Sequence, residues 1–107
     1  MTRVCTYWEF DHPLGQVRAI STPRGLEIFA EDVFMVLAPQ LNNEKIVLLH
    51  IQSQERYVVI ESQVERVKTL NSTAIYNLKG IVDEESINIF TQWVRSNILP
   101  IFQKDFL

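Results

Sequence analysis

Glu85-Ser86-Ile87-Asn88-Ile89-Phe90-Thr91-Gln92-Trp93-Val94-Arg95-Ser96-Asn97-Ile98-Leu99-Pro100-Ile101-Phe102 brings two constraints together near the end of the chain. Apolar residues recur at helical spacing, and a proline then removes a backbone N–H and disfavours helix in the residue before it. On a 3.6-residue wheel Ile87, Phe90, Val94 and Ile98 form one stripe, the pattern of a core-facing helix. Ile89 and Trp93 fall on a separate flank, while Asn88, Gln92, Arg95 and Ser96 make a polar wedge. Such a helix either packs between two layers of its own domain or offers Ile89 and Trp93 to a partner. Asp83 is placed to cap it, with Glu84 and Glu85 at the positive end of the helix dipole. The spacing predicts a helix to about Asn97, a break at Pro100, and a last turn or two over residues 100–106.

Upstream of this helix the character changes. Residues 4–10 are rich in β-branched and aromatic types and end in the turn cluster Asp11-His12-Pro13-Leu14-Gly15. Residues 16–21 alternate polar and apolar, the period of a half-buried strand, and Pro23-Arg24-Gly25 turns the chain into a third strand over residues 26–29. Three strands joined by short turns predict an antiparallel meander. Residues 30–38 read as a helix ended by Pro39, acidic in its first turn and apolar on every side from Val33 onward. Strands over residues 46–51 and 57–61, joined by a polar loop at 52–56, predict a hairpin. A short helix over residues 62–67 and another over 72–78, stopped by Gly80, lead to the closing helix. Strands first and helices last give an α+β class: a small antiparallel sheet, meander plus hairpin, with helices packed on it.

The chain has 107 residues, 47% of them apolar, which suits a single domain over residues 1–107 with a real core. Charged residues are 21% of the chain and the formal net charge is −3, a balance that excludes wholesale disorder and a general attraction to polyanions. The single cysteine, Cys5, leaves no intramolecular disulfide framework and suits a reducing compartment. No signal-peptide core and no bilayer-length apolar run is present, so the expectation is a soluble cytoplasmic protein. Met1 and the intact closing segment set the expectation of a complete protein.

Chemistry finds little to stand on. The two histidines are His12, in a turn, and His50, inside the apolar run Leu48-Leu49-His50-Ile51, where it reads as a core residue. Cys5 has no base specified beside it and reads as a small core residue. No second cysteine or histidine stands at metal-ligand spacing, and three glycines make no phosphate loop. Helix capping accounts for the run Asp83-Glu84-Glu85. The expectation is a protein that is not an enzyme and holds no metal or cofactor. For nucleic acid, Arg18, Arg24, Arg56, Arg66 and Lys68 are candidate phosphate contacts if the fold gathers them on one face. Glu61 and Glu65 beside Arg66 and Lys68 instead suggest a solvated face of mixed charge.

Phe90, Trp93-Val94 and Ile98-Leu99-Pro100 resemble the closing motif of the BRO-N domain family, found in phage antirepressors and viral BRO proteins. Ala74-Ile75-Tyr76-Asn77-Leu78 is similar to the family's Gly-Leu-Tyr-x-Leu. Glu27-Ile28-Phe29-Ala30-Glu31-Asp32-Val33 resembles its Trp-Phe-Val-Ala-Lys-Asp-Val block, and Val17-Arg18-Ala19-Ile20 its Val-Arg strand. The likeness runs from about residue 8 to 103. It implies control of transcription in a phage or prophage, through DNA or through a protein such as a repressor. Three departures favour the protein. Glu27 and Glu31 put acid where the family carries tryptophan and lysine, and residues 39–45 hold one acid and one base where relatives are polar and basic. A protein partner tolerates either sign of charge. Ile89, Trp93, Phe102 and Phe106 are then the candidate contact residues, for a regulator partner or for a homodimer, unless they only close the core.

Overall fold

The computed structural model describes residues 3–39 and 52–102. Its centre is a mixed, curled six-stranded sheet. In chain order the elements are β1 (Val4–Cys5), β2 (Tyr7–His12), β3 (Gly15–Thr22), β4 (Gly25–Phe29), α1 (Ala30–Leu37), β5 (Gln54–Ile60), β6 (Gln63–Leu70), α2 (Ser72–Tyr76), α3 (Glu84–Asn97) and α4 (Leu99–Phe102). Across the sheet the strands run β1-β5-β6-β4-β3-β2. The expected antiparallel meander is β2-β3-β4 and the hairpin is β5-β6, while β1 adds one parallel pair against Tyr57 and Val58.

Turn chemistry sets the meander. Pro13-Leu14 and Pro23-Arg24 fill two-residue turns closed by the pairs His12–Gly15 and Thr22–Gly25. Proline presets the first central φ of each turn, and the glycine that closes it takes φ of 148° at Gly15 and 128° at Gly25. The hairpin is placed differently from the sequence expectation. Of residues 62–67, expected as helix, 63–67 are the first part of β6, and the expected loop at 52–56 runs into β5. The turn is Glu61-Ser62, where both residues have positive φ, 50° and 69°. That is the conformation in which Asn-Gly is favoured, so a turn built without glycine left no signature. Cross-strand pairing of Tyr57 with Arg66 and Val59 with Val64 then overrides the helical tendency of the segment. The expected strand over residues 46–51, with His50, lies outside the described residues.

Side chains alternate across the sheet, so its two faces have different contents. One face presents Val17, Ala19, Leu26, Ile28 and Leu70 to Val33 and Phe34 of α1, Ile75 of α2, and Ile87, Phe90 and Val94 of α3. All of these are buried, and Ile98 and Leu78 extend the same core. The stripe read from the wheel is therefore the packed one. Met35 is the exception to the expected all-round burial of α1, being substantially exposed. The opposite face holds a small cluster of Cys5, Ile20, Phe29 and Val58.

Helix ends follow their caps. The Asn71 side chain accepts a hydrogen bond from the Ala74 amide at 2.9 Å and starts α2. Asp83 accepts from the Ser86 amide at 3.2 Å and starts α3. Gly80 follows α2 with φ 96°, a conformation glycine adopts without strain. The C-terminal helical run is bent, with its interruption at Ile98. Pro100 is the second residue of the short α4 that follows and so lies in its first turn.

Candidate interaction surface

Edge strand β2 presents Trp8, Phe10 and His12 on the helix-covered face, because every second residue shares a face. The end of the chain meets them. Phe102 sits edge-on to Trp8 with ring centres 5.9 Å apart, and 6.1 Å from Phe10. His12 lies 4.6 Å from Trp93 and 5.9 Å from Phe90, and Trp93 stacks on Phe90 at 6.1 Å. Aromatic pairs in these tilted and offset geometries add to simple area burial. The result is an aromatic seam between the outermost strand and the closing helices.

Only part of this seam is in the core. Trp93 and Phe102 are half-buried and pack against it. Trp8, by contrast, is 55% exposed, Ile89 63% and Ile101 60%. Ile89 lies one helical turn from Trp93, and Ile101 adjoins Phe102, so apolar surface flanks the seam at both ends. Of the sequence-predicted contact residues, Ile89 is free for a partner, Trp93 and Phe102 also close the fold, and Phe106 lies outside the described residues. Trp8, Phe10 and His12 were missed. Their signal is the aromatic ring at every second position, of which Trp8 and Phe10 read as strand character and His12 as part of a turn.

His12 ends a strand rather than sitting in a turn. Its Nδ1 accepts the Leu14 amide N–H at 3.0 Å, which requires that nitrogen to be unprotonated. Burial against the aromatic rings pushes its imidazole below the ordinary value.

The five candidate phosphate contacts do not converge. Arg18, Arg66 and Lys68 line a cleft of about 490 Å³ that also holds Glu31 and Glu65, over the apolar Phe29, Phe34, Ile60 and Val67. Arg24 and Arg56 border a different, small pocket beside Glu27. Two of the five are moreover committed internally. Arg18 donates from Nε and Nη2 to the two carboxylate oxygens of Asp32, each at 2.9 Å, and its own amide donates to Asp32 at 2.8 Å. The guanidinium also lies over the Phe29 ring at 4.5 Å. Arg56 donates to both oxygens of Glu27 at 2.9 and 2.7 Å, and the Thr69 hydroxyl adds a third bond at 2.6 Å. Asp32 and Glu27 are both buried. Hydrogen bonding to these carboxylates holds both guanidinium groups above their ordinary values. Arg66 makes a loose surface pair with Glu55 at 3.7 Å, while Arg24 and Lys68 have no ion pair among the described residues.

Cys5 is buried and reduced in β1. Among the described residues no three of His, Cys, Asp and Glu gather as they do around a metal ion. No described helix is long and apolar enough to cross a membrane.

No family model, curated protein or solved structure matches the chain. The BRO-N resemblance therefore rests on the motif residues, and the fold gives those residues a physical role. Phe90, Val94, Leu78, Val33 and Val17 are all core. The motif thus encodes packing of the covered face, and the aromatic seam is the surface that packing leaves at its margin.

Proposed function

We propose that this chain is a non-enzymatic regulator of transcription, similar to the BRO-N domain of phage antirepressors, that acts by binding another protein. On that resemblance its partner is a repressor or comparable regulator and its setting is the cytoplasm of a bacterial host. One observation carries the choice of protein over DNA: Arg18 and Arg56 spend their hydrogen bonds on buried carboxylates, while Trp8, Ile89 and Ile101 stand exposed beside an aromatic seam. Aromatic anchors ringed by apolar contacts are the usual centre of a protein interface.

Co-purification from the phage-carrying host tests this reading, comparing the wild-type chain with Ile89→Asp and Trp8→Ala. A regulator retained by the wild type and lost with either variant is the expected result. Ile89→Asp should change stability by about 0.5 kcal/mol, since that side chain is largely exposed, and Trp8→Ala by about 1 kcal/mol, since it gives up the ring contact with Phe102. Retention unchanged in both variants would remove the seam from the interface. A second reading, a DNA-binding module, is favoured by the cleft that gathers Arg18, Arg66 and Lys68.

A further inference from the structure

We infer that the outer edge of β2 accepts an extended basic polypeptide segment as a seventh strand, with alternate lysine or arginine side chains over Glu9 and Asp11. The inference deepens the protein-binding reading above and rests on it, since it names the partner's chemistry and the mode of contact.

An edge strand carries a row of N–H and C=O groups able to template another strand. The two edges of this sheet handle that differently. At one side the edge is β1, cut to two residues. At the other, β2 runs six residues and pairs with β3 in continuous register from Tyr7–Ile20 to His12–Gly15. No residue is skipped, so β2 has no bulge, and it contains neither proline nor lysine to discourage pairing. Among the described residues no strand lies on its outer side.

Side chains above and below this edge specify the occupant. On the covered face, the exposed Trp8 gives an incoming strand an apolar shelf for its alternate residues. On the other face Glu9 and Asp11 are exposed, two positions apart, and neither has an ion pair among the described residues. Arg18 is directly opposite Glu9 in the ladder, yet its guanidinium goes to Asp32 and Glu31. Asp11 receives only the neutral Gln16 amide. Two unneutralised acids on one face of an edge call for bases at alternate positions of the added strand. They also oppose a second copy: pairing two β2 strands antiparallel about Phe10 sets Glu9 of each against Asp11 of the other, and like charges directly opposite repel.

The test uses the full chain and a blocked peptide of about nine residues that alternates lysine with valine and leucine, enough to span β2. Affinity and hydrogen exchange are the readouts. Expected is saturable binding that slows exchange of the β2 amides, weakens about tenfold or more in Glu9→Lys/Asp11→Lys, and transfers in that variant to the same peptide with glutamate for lysine. Because Glu9 and Asp11 are exposed, the variant should fold; the acidic peptide checks that it still has a working edge. Equal binding of the basic peptide to wild type and variant, or undiminished binding of a version with proline at alternate positions, overturns the inference. So does self-association through β2 with no peptide bound. A natural partner lost with Ile89→Asp but kept by Glu9→Lys/Asp11→Lys removes strand addition and leaves the protein-binding reading standing.

Discussion

The two faces of the sheet are held by different physics. Under the helices, large apolar side chains from β3, β4, β6, α1, α2 and α3 pack without a buried charge between them. On the opposite face the apolar cluster is small, and two arginine–carboxylate clamps join distant strands and the start of α1. The comparison teaches where function can reside. Arg18 and Arg56, two of the five residues that look like phosphate contacts in the sequence, serve as internal fastening on the thinly covered face. Phe90, Val94, Leu78, Val33 and Val17, taken from the motifs that suggest a family, are apolar filling of the well-covered one. Neither those two arginines nor those core residues are available to a partner, whereas exposed apolar side chains stand at the margin where β2 meets the closing helices.

Phe90→Ala breaks the covered face most severely. The ring is fully buried and stacks on Trp93, so chemical denaturation should show a loss of about 3–5 kcal/mol, enough to unfold much of the population. A loss below about 1 kcal/mol would mean that this face is loosely packed.

Arg56→Ala attacks the other face. It leaves the Glu27 carboxylate buried with only the Thr69 hydroxyl, and the expected cost is about 2–3 kcal/mol, below a fully buried pair because Arg56 is partly solvated. Glu27→Leu in the same chain should recover most of that loss, since removing both charges removes the unpaired one. A double variant no better than Arg56→Ala would show that the clamp contributes through geometry rather than charge.

His12 sharpens the comparison at the margin. Folding lowers its affinity for a proton from the ordinary value of 6.5, so the unfolded chain protonates first as the pH falls. Its contribution to stability is therefore complete above about pH 6.5 and is lost as the pH drops towards the folded value. Melting temperature should decline across that window in the wild type, with Trp93 fluorescence changing in step, and the decline should flatten in His12→Gln. An unchanged profile in the variant would assign the pH dependence to other groups.

Much of this arrangement was legible in the sequence, for local reasons. The cap at Asp83, the prolines of the two meander turns and the stripe Ile87-Phe90-Val94-Ile98 each declare themselves within a few residues. What the sequence hid was non-local. Arg18 finds Asp32 14 residues away and Arg56 finds Glu27 29 residues away, and no spacing rule links such partners before the strand order is known. The hairpin was hidden by a turn without glycine, and the seam because Trp8 and Phe10 read as strand formers and His12 as a turn residue, with nothing local to show what faced them. Glu27, the acid that stands where the resembled family has tryptophan, is the buried anchor of a clamp.

Titration of duplex DNA against the purified chain at about 50 and then about 200 mM salt tests the division between fastening and function most directly. The account predicts no measurable binding at the lower salt, because Arg18 and Arg56 are held by Asp32 and Glu27. Tight binding that weakens roughly 500-fold across that range, as five phosphate contacts require, and that disappears in Lys68→Ala and Arg66→Ala while the fold persists, would contradict it.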